Sequence, residues 1–160
     1  MDFMRDTLRG NRAFRMLNIL DTYTRECVAM EVDVSLGGDR VVRVLERLGA
    51  GRPLPQTIVV DNGPEFHSKA LDAWARTRGV QLQFIRPGKP VDNAYIEAIN
   101  GRVRDECPNQ HWLLNLNDAR QILERWRCQR RFKSGQKQRC RSGHSGTGWA
   151  QEGIGTSALR

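Results

Sequence analysis

The sequence predicts an α/β fold with a mixed sheet, and two patterns of apolar residues support this prediction. Segments of β-forming residues occupy Met1–Arg5, Ala13–Leu20 and Cys27–Val34, and polar turns separate them, which predicts an antiparallel meander. After Gly37 the apolar residues recur at helical spacing, and helical segments then alternate with short β-branched ones. Five strands interspersed with helices therefore predict one mixed sheet.

The helices are predicted from apolar spacing and from residues that begin or end a helix. The first has apolar residues at Val41, Val44, Leu45 and Leu48. Asp39 is its predicted N-cap and Gly49 its predicted end. In the second helix, Ser68 is the predicted N-cap, Trp74 belongs to the core, and Gly79 ends the helix.

Two further helices complete the predicted pattern. Asp92 is the predicted N-cap of the third helix, whose buried stripe consists of Ile96, Ile99 and Val103. The last helix begins near Asn117. A carboxylate at position 97 then lies beside the buried stripe, on a flanking face.

A carboxylate follows the fourth predicted strand. Thr57–Val60 is β-branched and apolar, and Asp61 comes directly after it. Gly63 permits a positive φ and Pro64 cannot extend a ladder, so the strand stops there. The carboxyl end of a strand is the usual place for a site in an open sheet.

Two other acids complete a candidate metal site. Asp2 lies in the first strand and Glu97 in the third helix, with 35 residues between Asp61 and Glu97. Three carboxylates form a hard, oxygen-rich site that suits Mg²⁺ or Mn²⁺. Two such ions about 4 Å apart can hold the attacking and leaving oxygens of a phosphodiester displacement.

These residues resemble the DDE catalytic core of insertion-sequence transposases, in the branch whose second reading frame encodes a domain similar to retroviral integrase. The resemblance rests on Asp2, Asp61–Phe66 and Glu97, and on Leu20–Glu26, Phe84–Pro90 and Asn100–Glu106. Arg104, seven residues after Glu97, matches a position that is usually basic in the family.

The resemblance implies a ribonuclease H-like fold and metal-dependent DNA cleavage and strand transfer. Asp2 and Asp61 would hold the metal ions, and Glu97 would complete the coordination. The implied partners are DNA, as transposon ends and target, and other transposase subunits in a homo-oligomer. The implied location is the bacterial cytoplasm, at the nucleoid.

Basic and polar residues near the site are candidate DNA contacts. They are Arg86, Lys89, Asn93, Arg102 and Arg104. Such side chains position a duplex by contacting phosphates without reading its sequence. A solvated face is the alternative for each of them.

The charge and composition divide the chain in two. The formal charge is +8, but residues 127–160 hold eight of the 26 basic residues and one of the 18 acidic ones. We therefore predict a catalytic core at 1–127 and a basic, Gly- and Ser-rich, disordered tail at 128–160. No apolar segment is long enough to cross a membrane. The scattered cysteines predict neither zinc ligation nor disulfides.

Both ends of the chain depart from the family pattern. Asp2 comes almost at the start, whereas relatives have more residues before that Asp, and the sequence after Arg127 lacks the expected continuation. We expect a truncated start and a frameshift near Arg127. Two alternatives stay open: an inactive remnant that binds DNA or intact transposase as an inhibitor, and a ribonuclease H-like nuclease.

Overall fold

The first 33 residues form a three-stranded antiparallel sheet, as predicted. The computed structural model describes residues 1–85, 94–107 and 113–133. The strands of this sheet are β1 (Asp2–Leu8), β2 (Arg12–Asp21) and β3 (Glu26–Asp33). Asp2 lies opposite Asn18 in the pairing of β1 with β2.

Helices and two short strands follow in alternation. They are α1 (Gly38–Gly49), β4 (Thr57–Val60), α2 (Lys69–Arg78), β5 (Gln81–Phe84), α3 (Ala94–Glu106) and α4 (Leu116–Lys133). β4 and β5 form a parallel pair. Because α4 continues to Lys133, the first six residues of the predicted tail are helical. No helix in the described ranges is long and apolar enough to span a bilayer.

The sequence predicts one five-stranded sheet, but the described strands form two hydrogen-bonded sheets, β1–β2–β3 and β4–β5. The two sheets adjoin at Met1, whose amino group donates to the Val59 carbonyl oxygen over 2.6 Å. This single hydrogen bond joins Met1, the residue before β1, to the four-residue strand β4. One bond does not make the two strands a hydrogen-bonded pair. The α/β class is confirmed, and the single sheet is not.

Apolar residues on the two faces of the antiparallel sheet build two separate clusters. Leu17 and Ile19 of β2 face a cluster that also includes residues of α1, α2 and β4. Phe14 and Met16 face the other cluster, with residues of α3 and α4. Successive residues of a strand point to opposite faces, so even-numbered residues of β2 face α3 and α4.

The ends of α2 follow the prediction, whereas the start of α1 does not. Ser68 Oγ accepts a hydrogen bond from Leu71 N over 3.3 Å, and Gly79 ends α2 with φ of 66°. At α1 the N-cap is Gly37, which has no side chain to cap with, and Asp39 lies in the first turn. The predicted capping role of Asp39 is therefore wrong, although its charge still suits the helix dipole there.

One cysteine departs from the prediction. Cys27 and Cys107 are free, buried thiols. Burial, with the charge of Glu106, raises the pKa of the Cys107 thiol to about 11, so it stays protonated at neutral pH. Cys128 is disulfide-bonded. The prediction of no disulfide is wrong at Cys128.

Glu31 joins β3 to α1 through two arginines. Its buried carboxylate accepts hydrogen bonds from Arg40 Nη2 over 2.7 Å and from Arg47 Nη2 over 2.5 Å. Burial raises the pKa of the Glu31 carboxyl, but the hydrogen bonds and charges of the two arginines outweigh burial, and the net pKa is lowered. This contact therefore stabilises the fold only while Glu31 is ionised.

We predict that Glu31 contributes stability in a pH-dependent way. A carboxyl with a lowered pKa in the folded chain contributes fully above its unfolded pKa of about 4.3, and the contribution is lost as pH falls through the folded pKa. The difference in free energy of unfolding between wild type and Glu31→Gln, measured in urea, should therefore shrink from about pH 6 to about pH 3.

The control is Asp72→Asn, which removes an exposed ion pair with Arg76 on α2. Such a pair contributes little, so this variant should match wild type at both pH values. A Glu31→Gln difference that does not change with pH would contradict the assignment.

Candidate active site

Asp61 begins a tight loop directly after β4. Its Oδ1 accepts a hydrogen bond from Gly63 N over 3.0 Å, and Phe66 N donates to the Gly63 carbonyl over 3.0 Å. Gly63 does not have a positive φ, so the prediction that the turn uses such an angle at this glycine is wrong. A Cβ at Gly63 would lie 3.0 Å from Asp61 Oδ1 and 3.1 Å from Glu65 Oε2. The glycine leaves room for two carboxylates.

The Asp61 loop is anchored to the antiparallel sheet. Phe66 is 1% exposed, and its ring centroid lies 4.9 Å from that of Phe3 in β1. Glu65 forms an ion pair with Arg15 of β2, and the Arg15 guanidinium lies 4.5 Å from the Phe3 ring centroid. These contacts hold Asp61 at the junction between the two sheets.

Asp2 is the second carboxylate at this junction. Phe3 N donates to its Oδ1 over 2.8 Å, and Asn100 Nδ2 of α3 donates to its Oδ2 over 2.6 Å. Burial raises the pKa of the Asp2 carboxyl, the Phe3 hydrogen bond lowers it, and the negative charge of Asp61 raises it. The net shift of the Asp2 pKa is upward, with burial as its largest cause and the negative charge of Asp61 as a further cause.

Glu97 lies on the first turn of α3, with an exposed side chain. Two residues earlier, the Tyr95 hydroxyl donates to the Arg25 carbonyl over 3.3 Å, and the Arg25 guanidinium lies 4.4 Å from the Tyr95 ring centroid. One turn later, Asn100 contacts Asp2. The two contacts fix the helix turn that carries Glu97.

The buried stripe of α3 differs from the predicted one. It consists of Ile96, Asn100 and Val103, while Ile99 is half-buried. The stripe runs at i, i+4 and i+7 instead of i, i+3 and i+7, because Asn100 has polar partners beneath it. Asp92, the predicted N-cap, lies outside the described residues.

The three predicted ligands are only partly brought together. Asp2 and Asp61 interact through their charges, and Glu97 lies one turn from the residue that contacts Asp2. In the part of the chain that the structure describes, no three His, Cys, Asp or Glu side chains are close enough to hold a metal ion. Two acids therefore share the junction, while Glu97 remains at the surface of α3.

Two asparagines of the site were not found from the sequence. Asn18 of β2 is 0% exposed, and its Nδ2 donates to Asn100 Oδ1 over 2.7 Å. The only sequence signal is a lone amide in the apolar segment Met16–Leu20. An amide at that position needs a buried partner, but the sequence does not show where the partner lies.

Two of the five candidate DNA contacts can be located. Arg102 and Arg104 are exposed on α3, the helix that carries Glu97. Arg86, Lys89 and Asn93 lie outside the described residues.

A cavity of about 330 Å³ opens between α2 and β5, and Phe66 is among the residues that line it. The exposed His67 lines this cavity and is stacked on Phe84, with 4.4 Å between ring centroids. Neither Asp2, Asp61 nor Glu97 lines this cavity.

Comparison with known proteins agrees with the motifs. Two family models of the integrase core domain match the chain, one at residues 1–90 and the other at residues 78–129. The insertion element IS407 uncharacterized 31.7 kDa protein of Burkholderia multivorans is 44% identical over 127 residues, which cover 79% of this chain and 46% of that protein. The insertion element IS476 uncharacterized 39.2 kDa protein of Xanthomonas euvesicatoria is 43% identical over 127 residues, 79% of this chain and 37% of that protein. The chain thus spans less than half the length of these relatives.

Solved structures share the fold at low sequence identity. A chain of the simian T-cell lymphotropic virus intasome in complex with PP2A regulatory subunit B56 gamma matches with a TM-score of 0.59 and 19% identity, over 76% of this chain and 45% of that one. The catalytic core domain of BIV integrase matches with a TM-score of 0.50 and 13% identity, over 65% of each chain. The resemblance stated from the sequence motifs is confirmed, and the chain belongs to the integrase core domain family, among the proteins of insertion elements.

Proposed function

We propose that the chain is the catalytic core of an insertion-sequence transposase that cleaves and joins DNA with divalent metal ions. The observation that carries this proposal is the pair formed by Asp2 and Asp61, which bear like charges at the junction of two sheets. The Asn100 hydrogen bond ties that pair to the helix bearing the third acid, Glu97. The matches to the integrase core domain at residues 1–90 and 78–129 support a core at residues 1–127, with 128–160 as a basic tail.

A ribonuclease H-like arrangement of five strands is the finer form of the fold that we propose. The bond from the Met1 amino group to the Val59 carbonyl supports β4 as the neighbour of β1. The strand order would then be β3–β2–β1–β4–β5, with β1 and β4 parallel. In that order Asp2 and Asp61 lie on adjacent strands.

The residues at this junction fit Mg²⁺ or Mn²⁺. Carboxylate oxygens are the ligands that these ions prefer, and a bound cation would offset both the burial of Asp2 and its repulsion with Asp61. Asp2 and Asp61 would hold the ions, and Glu97 would complete the coordination by turning inward from its exposed position. Divalent ions bound there supply the Lewis-acid chemistry that a phosphodiester displacement requires.

The chain's own residues then bind and orient DNA. The exposed Arg102 and Arg104 lie five and seven residues beyond Glu97 on α3, so they support phosphate contacts close to the reacting strand. Arg86, Lys89 and Asn93 are proposed contacts from the sequence. Water attack on a phosphate would free a 3′ hydroxyl, and that hydroxyl would attack a target phosphate and displace its 3′ oxygen.

Partners and location follow from the same proposal. The substrates would be the transposon ends and a target DNA, at the bacterial nucleoid. One structural neighbour is described as part of an intasome. A homo-oligomer with other transposase subunits is proposed by analogy with that assembly.

One observation favours an alternative function. Glu97 is exposed, and no three-acid metal group forms within the described residues. A chain that binds DNA or intact transposase subunits without cleaving would match those facts. It would act as an inhibitor of transposition.

We predict Mn²⁺-dependent cleavage and joining of DNA that carries insertion-element ends. Glu97→Gln and Asp61→Asn should each reduce the rate by more than about 100-fold, because even residues that only orient metal ligands cost 10- to 100-fold when changed. The assay separates nicked and joined products on a denaturing gel.

The control for that assay is Asp39→Asn, which changes an exposed carboxylate on α1. It should keep wild-type activity. Inactive wild-type protein that still binds DNA supports the inhibitor, and cleavage of RNA–DNA hybrids alone supports a nuclease. Equal activity in Glu97→Gln would exclude the assigned triad.

We predict that Asp2→Asn stabilises the metal-free protein at pH 7. A carboxyl whose pKa is raised in the folded chain destabilises the fold when ionised, and this penalty disappears below its unfolded pKa of about 3.9. The variant should have a higher Tm than wild type at neutral pH. The difference should close as pH falls toward about 4.

Thermal unfolding in EDTA across this pH range tests the prediction. Asp6→Asn, which also changes an acid of β1, is the control and should not raise the Tm. An Asp2→Asn variant less stable than wild type at pH 7 would show that Asp2 stabilises the fold.

We predict that Arg102→Ala and Arg104→Ala each weaken DNA binding and make it less sensitive to salt. Each phosphate contact that is lost should reduce the slope of log affinity against log salt by about 1. Fluorescence anisotropy at several salt concentrations measures that slope. Arg76→Ala on α2 is the control, and an unchanged slope in both α3 variants would remove them from the interface.

A further inference from the structure

A buried amide beneath the acid pair has no role in the function proposed above. We infer that Asn18 is a positioning residue for the Asp2 carboxylate and acts through Asn100. This inference rests on the proposed metal-dependent function, which it deepens.

Asn18 is buried where an apolar residue would ordinarily stand. It is 0% exposed in β2. Met16 and Leu17 before it and Ile19 after it are also buried. It shares its face of the sheet with Phe14 and Met16, which belong to the apolar cluster under α3 and α4. An amide buried in such surroundings is unfavourable unless its polar atoms are hydrogen-bonded.

The register brings this amide to the acid. Asn18 lies directly opposite Asp2 in the pairing of β1 with β2. Cross-strand partners have Cβ atoms about 5 Å apart on the same face, so both side chains point toward α3. Asn100 of α3 lies between them and is 9% exposed.

The hydrogen bonds form a chain with one direction. Asn18 Nδ2 donates to Asn100 Oδ1 over 2.7 Å, and Asn100 Nδ2 donates to Asp2 Oδ2 over 2.6 Å. The Asn18 donor holds the oxygen of Asn100 toward β2, and so the NH₂ group of Asn100 faces Asp2. If the Asn100 amide turned over, its NH₂ group would face the NH₂ group of Asn18, so two donors would meet there, and two acceptors would meet at Asp2. Asn18 therefore selects the orientation in which Asn100 holds the carboxylate.

The side-chain oxygen of Asn18 argues against a role that only stabilises the fold. Its Oδ1 is buried and has no hydrogen-bond partner among the described residues. An apolar residue at position 18 would remove this unsatisfied acceptor but would leave Asn100 Oδ1 without its donor, so the two effects on stability oppose each other. What an apolar residue would not supply is the donor that orients Asn100.

The test compares Asn18→Leu with wild type. Leucine has a similar volume but no donor, so the Tm should stay within a few degrees of wild type. The affinity for Mn²⁺, measured without DNA by electron paramagnetic resonance of the free ion, should fall about 10- to 100-fold. DNA cleavage should fall likewise and should recover in part at higher Mn²⁺ concentration.

Met16→Leu is the matched control, since Met16 is also 0% exposed and lies on the same face of β2. It should keep wild-type Mn²⁺ affinity and cleavage. Asn100→Leu should reproduce the effect of Asn18→Leu, and the double variant should show no further loss, because both act through one contact. Should Asn18→Leu not fold, Asn18→Ser is measured in the same way.

The outcomes separate this inference from the function on which it rests. Wild-type Mn²⁺ affinity and cleavage in a folded Asn18 variant overturn the inference and leave the function intact. If Asn18→Leu lowers the Tm by much more than a few degrees and also lowers the Mn²⁺ affinity, the inference is overturned as well, since Asn18 would then be needed for the fold itself. Wild-type protein that neither binds Mn²⁺ nor cleaves DNA overturns both.

Discussion

Two like charges held at the junction of two sheets are the constraint around which this molecule is arranged. Asp2 is half-buried in β1, Asp61 follows β4, and the charge of Asp61 raises the pKa of the Asp2 carboxyl. Burial and the charge of Asp61 both oppose ionisation of Asp2, so neighbouring contacts must hold the two acids in place. Phe66 against Phe3 fixes the Asp61 loop, and the hydrogen bond from Asn100 steadies Asp2. Acidic groups whose ionisation is opposed by their surroundings are typical of functional sites.

The two apolar clusters control different parts of this site. The cluster with α1 and α2 contains Phe66 and so determines where the Asp61 loop lies. The cluster on the opposite face contains Val103 of α3 and so determines where that helix lies. Asp2 lies in the strand between them. The distance from Glu97 to the other two acids therefore depends on how α3 packs, and the Tyr95–Arg25 and Asn100–Asp2 contacts limit its movement.

Local rules predicted the elements well wherever neighbouring residues determine the outcome. Ser68 and Gly79 begin and end α2 because capping depends on atoms within one helical turn. Asp39 did not cap α1, since the N-cap lies two residues earlier, at Gly37. The buried stripe of α3 also differed from its apolar pattern, because Asn100 has Asn18 and Asp2 beneath it, which are distant in sequence. Long-range partners explain that error and the missed asparagines.

The sequence by itself determined the family, the α/β class and the carboxylates, since motif order and strand periodicity are properties of the chain. It also showed that the charge is concentrated after residue 126 and says little about the core. Only the tertiary structure decided that the described strands form two hydrogen-bonded sheets that adjoin at Met1. It alone revealed the relay from Asn18 through Asn100 to Asp2, because that relay joins residues 82 and 98 positions apart. Contacts between such distant residues depend on how strands and helices pack, which no local pattern of residues specifies.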